Sequence, residues 1–140
     1  MPLLERSKQV AAPAAEVWAL IGPFDGLANW HPAVIACHGS GSGEGQEREV
    51  VVVGSIRLRE RLVAQDDAAM RHRYVLVDGP LPVEGYVSTL SVSDNSDGTS
   101  TVTWSAEYQL AGAPEDVARD AIGGIYDAGL QSLGDRFGKG

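Results

Sequence analysis

The stretch Thr101-Val102-Thr103-Trp104-Ser105-Ala106-Glu107-Tyr108-Gln109-Leu110 alternates without a break between polar and apolar side chains. Successive side chains of a strand point to opposite faces, so this period of two predicts a strand wetted on one side. Val102, Trp104, Ala106, Tyr108 and Leu110 form the face expected to meet the core, and Thr101, Thr103, Ser105, Glu107 and Gln109 the other. Antiparallel sheets carry this pattern, with one face packed and one solvated.

Toward the N-terminus the same period persists back to Val34, broken by turn-forming clusters at Gly39 to Gly45, Gln65 to Asp67, Asp78 to Pro80 and Asp94 to Gly98. Gly, Pro, Asn, Asp and Ser favour turns for distinct backbone reasons, so the segment reads as a run of hairpins of about six strands. The Gly/Ser-rich stretch is a long hairpin loop in this reading, since too little chain precedes it for a separate core. Glu5 to Ala11 suits an opening strand. Pro13 to Ile21 is then a short amphipathic helix burying Val17, Leu20 and Ile21, with Trp18 at its flank and Gly22-Pro23 as its stop. A second helical turn follows through Phe24 to Trp30.

Beyond Leu110 the period changes. Pro114-Glu115-Asp116 places proline and acidic residues where a helix N-terminus favours them, and Val117, Ala121, Ile125, Gly129 and Leu133 recur at helical spacing as far as Phe137. The expected fold is α+β: a curved antiparallel sheet of about seven strands wrapped around a long C-terminal helix, with two short helices after the first strand, residues 1–140 making one domain.

The chain has 140 residues, 44% of them apolar, and a net charge of −8 with its basic residues scattered. No stripe of positive charge suits a nucleic-acid backbone, so nucleic acid is excluded as the expected partner. No apolar run is long enough for a membrane span, and the first residues lack the apolar core of a signal peptide, so a cytoplasmic location without stable membrane insertion is expected. Cys37 has no second cysteine to pair with. His31, His38 and His72 lack zinc-site spacing, and no glycine-rich phosphate loop is present, so neither metal nor cofactor is expected.

The phase of Ile56 to Val63 turns Ile56, Leu58 and Leu62 inward and Arg57, Arg59 and Arg61 outward, which leaves Glu60 among the inward residues. An acidic group on an apolar face is costly without partners and therefore marks a candidate site. Tyr74, Leu76, Tyr86, Ser88 and Leu90 on the following strands, with Trp104, Ala106 and Tyr108, bring a few polar tips into the same chamber. Ala121, Gly124, Ile125 and Gly129 on the last helix leave room beside them.

Taken in order, Val17 to Pro32, Cys37, Glu60-Arg61-Leu62 with Asp66-Asp67, Tyr86 to Leu90 and Gly129 to Leu133 resemble the START/SRPBCC helix-grip superfamily, in particular its polyketide cyclase/dehydrase-like members and the plant abscisic-acid receptors. The resemblance runs nearly end to end. It implies a cavity between sheet and C-terminal helix for sterols, lipids, polyketides or hormones. It places Glu60 as a ligand-bonding glutamate, Tyr74, Tyr86 and Ser88 as cavity-lining residues, and His31 where the receptors carry a lysine that pairs with a ligand carboxylate. The receptors' gate and latch motifs are replaced by the turn at Gly54-Ser55 and by Leu81-Pro82-Val83, and Gly129 stands in place of an asparagine, so hormone sensing is not implied.

The expected ligand-binding set is His31, Leu58, Glu60, Leu62, Tyr74, Leu76, Tyr86, Ser88, Trp104, Ala106, Tyr108, Ala121, Ile125 and Gly129, around a small hydrophobic ligand entering near Asp78 to Gly85 and Phe24 to Pro32. Three roles suit such a chamber: a binding or carrier module; a cofactor-independent cyclase, dehydratase or isomerase; or a regulatory protein that binds a partner. In the enzyme, Glu60, its charge disfavoured by apolar surroundings, would exchange a proton with a carbonyl substrate while Tyr86 or Tyr108 steadied the enolate oxygen.

Overall fold

The computed structural model describes residues 3–41 and 43–138. Seven strands form a single antiparallel sheet in the order β1-β7-β6-β5-β4-β3-β2. They are β1 (Leu3–Val10), β2 (Val34–Ser40), β3 (Glu47–Val52), β4 (Ile56–Asp66), β5 (Arg71–Asp78), β6 (Val83–Asp94) and β7 (Ser100–Leu110). Strands β2 to β7 are a meander of hairpins, each pairing with the next in sequence, while β1 returns to the far edge beside β7. Glycines and small polar residues make the turns where the sequence signalled them; Gly54 and Ser55, both at positive φ, close the β3–β4 hairpin. Ser42, within the glycine-rich loop, lies outside the described residues.

Helix α1 (Ala14–Ile21) buries Ala14, Val17, Trp18 and Ile21, and a 3-10 helix follows over Phe24–Asn29. The long helix α2 (Glu115–Phe137) packs on β1 and β7 across the concave face of the sheet. Its buried stripe is Ala118, Ile122, Tyr126, Gly129, Leu130 and Leu133. The spacing read from the sequence placed the first half of that stripe wrongly: Val117 is exposed, Ala121 is half-buried and Gly124 faces solvent. Ile122 and Tyr126 take the inward positions, because the larger apolar and aromatic side chains win the core-facing angle over Val117 and Ala121.

The phase expected for the sheet holds. Val102, Trp104, Ala106 and Tyr108 are buried on β7, Leu58, Glu60 and Leu62 on β4, and Tyr74 on β5. Leu110 and Ile56, expected to face inward, lie largely open to solvent at strand ends that α2 does not cover. No helix among the described residues is long and apolar enough to cross a membrane.

Candidate functional site

Hydrogen-bond register sets the centre of the site. On β3 the inward phase is Arg48, Val50 and Val52, and Arg48 lies directly opposite Glu60 of β4. Residues opposite each other on one face have their Cβ atoms about 5 Å apart, close enough for an ion pair. The Arg48 Nε donates to Glu60 Oε1 at 2.8 Å, and Arg48 Nη1 donates to the backbone carbonyl of Phe24 at 2.6 Å. Both side chains are nearly inaccessible, at 3% and 6%. The guanidinium carbon sits 4.0 Å from the centre of the Phe24 ring and 4.7 Å from that of Tyr74, so two ring faces supplement the carboxylate in stabilising the buried cation. Burial works against the charge on Arg48, but Glu60, ahead of Tyr74 and Cys37, more than offsets it and leaves the guanidinium above its ordinary pKa.

Next to this pair, on β5, β6, β7 and α2, is a network of buried hydroxyls and an indole. Tyr126 of α2 bonds the Tyr86 hydroxyl of β6 and, at 2.7 Å, the Ser88 hydroxyl. Ser88 donates to the carbonyl of Ser105 at 3.0 Å. The indole Nε1 of Trp104 donates to the Tyr74 hydroxyl at 3.0 Å and to Ser88 at 3.1 Å. Trp104 and Tyr126 stack at 4.4 Å between ring centres, nearly parallel, which locks helix to sheet. Burial, then the carboxylate of Glu60, raises the Tyr74 phenol to about 12, and burial first of all raises those of Tyr86 and Tyr126 well above the ordinary value. These phenols keep their protons and act as hydrogen-bond donors.

Ion pair and hydroxyls border an apolar cavity of about 20 Å³, the room one water molecule needs. Arg48, Glu60, Tyr74, Tyr86, Trp104 and Tyr126 border it, with Leu58, Ile122 and Ile125, Leu27 of the 3-10 helix and Leu81 of the β5–β6 loop. Of the residues expected to line a chamber, the structure brings Leu58, Glu60, Tyr74, Tyr86, Trp104 and Ile125 together at this cavity. Sequence reasoning missed Arg48, whose alternation with Val50 and Val52 was the available signal, and Tyr126, which the misplaced helix stripe concealed.

Other expected residues lie elsewhere. His31 does not border the cavity, and both its ring nitrogens are engaged: Nδ1 accepts from the Ala33 amide at 3.2 Å, so Nε2 carries the proton and donates to the Ile125 carbonyl at 2.6 Å. Burial lowers its pKa. It is a strut between loop and helix, with no nitrogen left for a ligand carboxylate. Gly129 opens no space, because a Cβ there would meet His31, Trp104 and Trp30 within 3.0 Å. Ala121 is turned off the core stripe. Leu62 and Ala106 are packed core, and Leu76 is half-buried beside the loop at Gly79. Ser88 acts on the cavity only through Tyr126 and Trp104. Tyr108 is fully buried, its hydroxyl has no partner among the described residues, and it does not border the cavity, so it is not placed to steady a substrate there. A wider depression of about 670 Å³ on the outer sheet surface is polar, lined by Arg71, Arg73, Thr89 and Glu107 among others, and touches none of these groups.

The unsupported part of the enzyme expectation is the lone glutamate, since Arg48 is bonded to it. Among the described residues no cluster of His, Cys, Asp or Glu is gathered to hold a metal ion.

A curved antiparallel sheet that grips its C-terminal helix around a small apolar cavity defines the helix-grip fold. Within it, the chain belongs to the family described as polyketide cyclase / dehydrase and lipid transport, whose model matches residues 1–138. Solved structures agree. The chain is similar to the protein XoxI of Bacillus cereus, at 28% identity and a TM-score of 0.93 over 98% of this chain and 96% of that one. A protein of Thermobifida fusca, solved in solution by NMR, shares 36% identity with a TM-score of 0.87, covering 99% and 94%. An uncharacterized protein of Bacillus thuringiensis matches at 27% and 0.89, covering 97% and 98%. No curated protein matches the chain.

Proposed function

We propose that the protein, as one domain, binds a small, largely apolar organic molecule between the sheet and α2, with its polar end held by Arg48, Glu60 and the hydroxyls of Tyr86 and Tyr126. The observation that carries this is the convergence of a buried ion pair and a buried phenol network on the border of one apolar cavity. Ion pairs taken out of water rarely add stability over apolar packing, so their presence there suits recognition better than folding. The family description, which includes lipid transport, supports the same reading.

Organic-ligand pockets commonly enclose about 300–1,000 Å³, so binding requires the chamber to widen from its present 20 Å³. Leu27 and Leu81, set on a 3-10 helix and a loop outside the sheet ladder, form the wall that can yield. Native mass spectrometry of the freshly purified protein, with a thermal-shift screen of sterols, fatty acids, flavonoids and aromatic polyketides, tests the proposal. A co-purified molecule or a raised melting temperature supports it; an empty protein indifferent to the whole panel rejects it.

A second reading, cyclase or dehydratase chemistry, is favoured by the neutral phenols Tyr86 and Tyr126: Tyr86 donates to Tyr126 and Tyr126 to Ser88, whose own proton goes to the Ser105 carbonyl, and a developing enolate oxygen would draw the Tyr126 proton away from Ser88. Such donors stabilise a developing enolate oxygen. Tyr126→Phe should then lower kcat on an aromatic polyketide substrate by about 10²-fold or more, with the fold intact by circular dichroism. Unchanged turnover in this variant removes the reading.

A further inference from the structure

From the charge balance of the chamber we infer that its ligand is electrically neutral and presents a hydrogen-bond donor and acceptor side by side, as a primary carboxamide or lactam does. This rests on the ligand-binding reading above and names the class of molecule it selects.

Arg48 and Glu60 are the charged side chains that border the cavity, one of each sign, so the chamber is neutral as a whole. The remaining polar groups at the border are phenols and an indole, which supply no compensating charge. A fatty-acid-type carboxylate placed there would add a second negative charge beside Glu60, out of water, with the nearest cation already paired. An amine would stand in the mirror situation beside Arg48. Uncompensated charges in such surroundings are strongly disfavoured.

The pair is also incompletely satisfied in a directional way. A guanidinium is a rigid planar fork whose Nε and Nη2 share one edge. Nε is spent on Glu60 Oε1 and Nη1 on the Phe24 carbonyl. Among the described residues, Nη2 of Arg48 and Oε2 of Glu60 carry no hydrogen bond. The edge of the pair therefore offers one donor next to one acceptor. A carboxamide meets both at once: its carbonyl accepts from Nη2 and its N–H donates to Oε2. A carboxylate meets the donor and repels the acceptor; a ketone meets the donor and leaves the acceptor unpaired.

The test uses three molecules of the same size and skeleton, 2-naphthamide, 2-naphthoate and 2-acetylnaphthalene, titrated calorimetrically at pH 7 against the full-length protein and its Arg48→Met/Glu60→Met double variant. That variant replaces the pair with apolar side chains of similar volume, a change such sites commonly tolerate. The wild type should bind the amide at least about tenfold more tightly than the carboxylate, and more tightly than the ketone. The double variant should bind the ketone at least as well as the amide. Equal affinities for all three in the wild type, a preference for the carboxylate, or an amide preference that survives in the double variant overturns the inference while leaving ligand binding intact. If none of the three binds the wild type, the inference is overturned, while the binding reading stands or falls by the ligand screen above.

Discussion

At the scale of single residues, the Arg48–Glu60 pair makes the sharpest stability prediction. Removing one partner strands a buried charge, whereas removing both does not. Arg48→Met alone should cost about 3–5 kcal/mol and the double variant far less, compared by urea unfolding. Equal losses in the two would show that the site is hydrated and that the pair's burial matters little. Two glycines make a contrasting prediction. Gly129 is surrounded by aromatic carbons of His31, Trp104 and Trp30 at 2.8 to 3.0 Å from where a Cβ would sit, while Gly124 has nothing within 4 Å. Gly129→Ala should destabilise by about 1–3 kcal/mol through overpacking, and Gly124→Ala should stabilise by about 0.5–1 kcal/mol through helix propensity. Thermal melting of both variants checks the signs. The sequence offered no means of telling these glycines apart, because whether a helical glycine faces rings or water depends on the helix's rotation, not on its composition.

At the scale of elements, strands were more legible than the long helix. Along β4 and β7 the period of two leaves only two phases, and the arginines at positions 57, 59 and 61 rule one of them out. A helix has a continuous rotation to settle, and α2 carries alanine, glycine and acidic residues on several sides, so its stripe was misassigned for two turns. The consequence fell on the site. Tyr126 is the residue through which α2 joins the hydroxyls of Tyr86 and Ser88, and no reading that turned it outward could find it. Arg48 was missed differently: its phase on β3 was readable, but pairing it with Glu60 requires knowing the register of the β3–β4 hairpin. Tyr126→Phe should cost about 1–3 kcal/mol by leaving buried hydroxyls unpartnered, a loss that denaturant unfolding will resolve. A neutral result would mean that Tyr86 and Ser88 find each other or water instead.

At the scale of the whole molecule, acid sensitivity follows from a histidine outside the cavity. His72 is buried against Trp18, Phe24 and Tyr74, bonds the Gly22 carbonyl through Nδ1, and among the described residues has no partner for Nε2. Burial, followed by the nearby Arg48, lowers its pKa from 6.5 to about 4. The unfolded chain therefore binds this proton at a higher pH than the native state does. Stability is fully present above pH 6.5 and is lost progressively as pH falls from there to about 4, by roughly 3 kcal/mol from this group. His31, whose pKa is also lowered, acts in the same direction. Unfolding free energy measured between pH 7 and 4.5 should fall, and less steeply in His72→Gln; identical slopes would assign the acid loss to other groups.

The position of β1 also has a consequence in time. Val10 pairs with Ser100 and Leu3 with Glu107, while β2 to β7 zip by neighbouring hairpins. During synthesis at about 5–20 residues per second, β1 leaves the ribosome several seconds before its partner exists. Closing so long a loop is entropically late work, so the meander assembles first and β1 seals the edge, with the Ala11 amide finally bonding the Gly138 carbonyl beyond α2. Leu4→Ala, in the buried face of β1, should accordingly speed unfolding and leave the refolding rate nearly unchanged, so the first strand made is the last to be held and the first to let go.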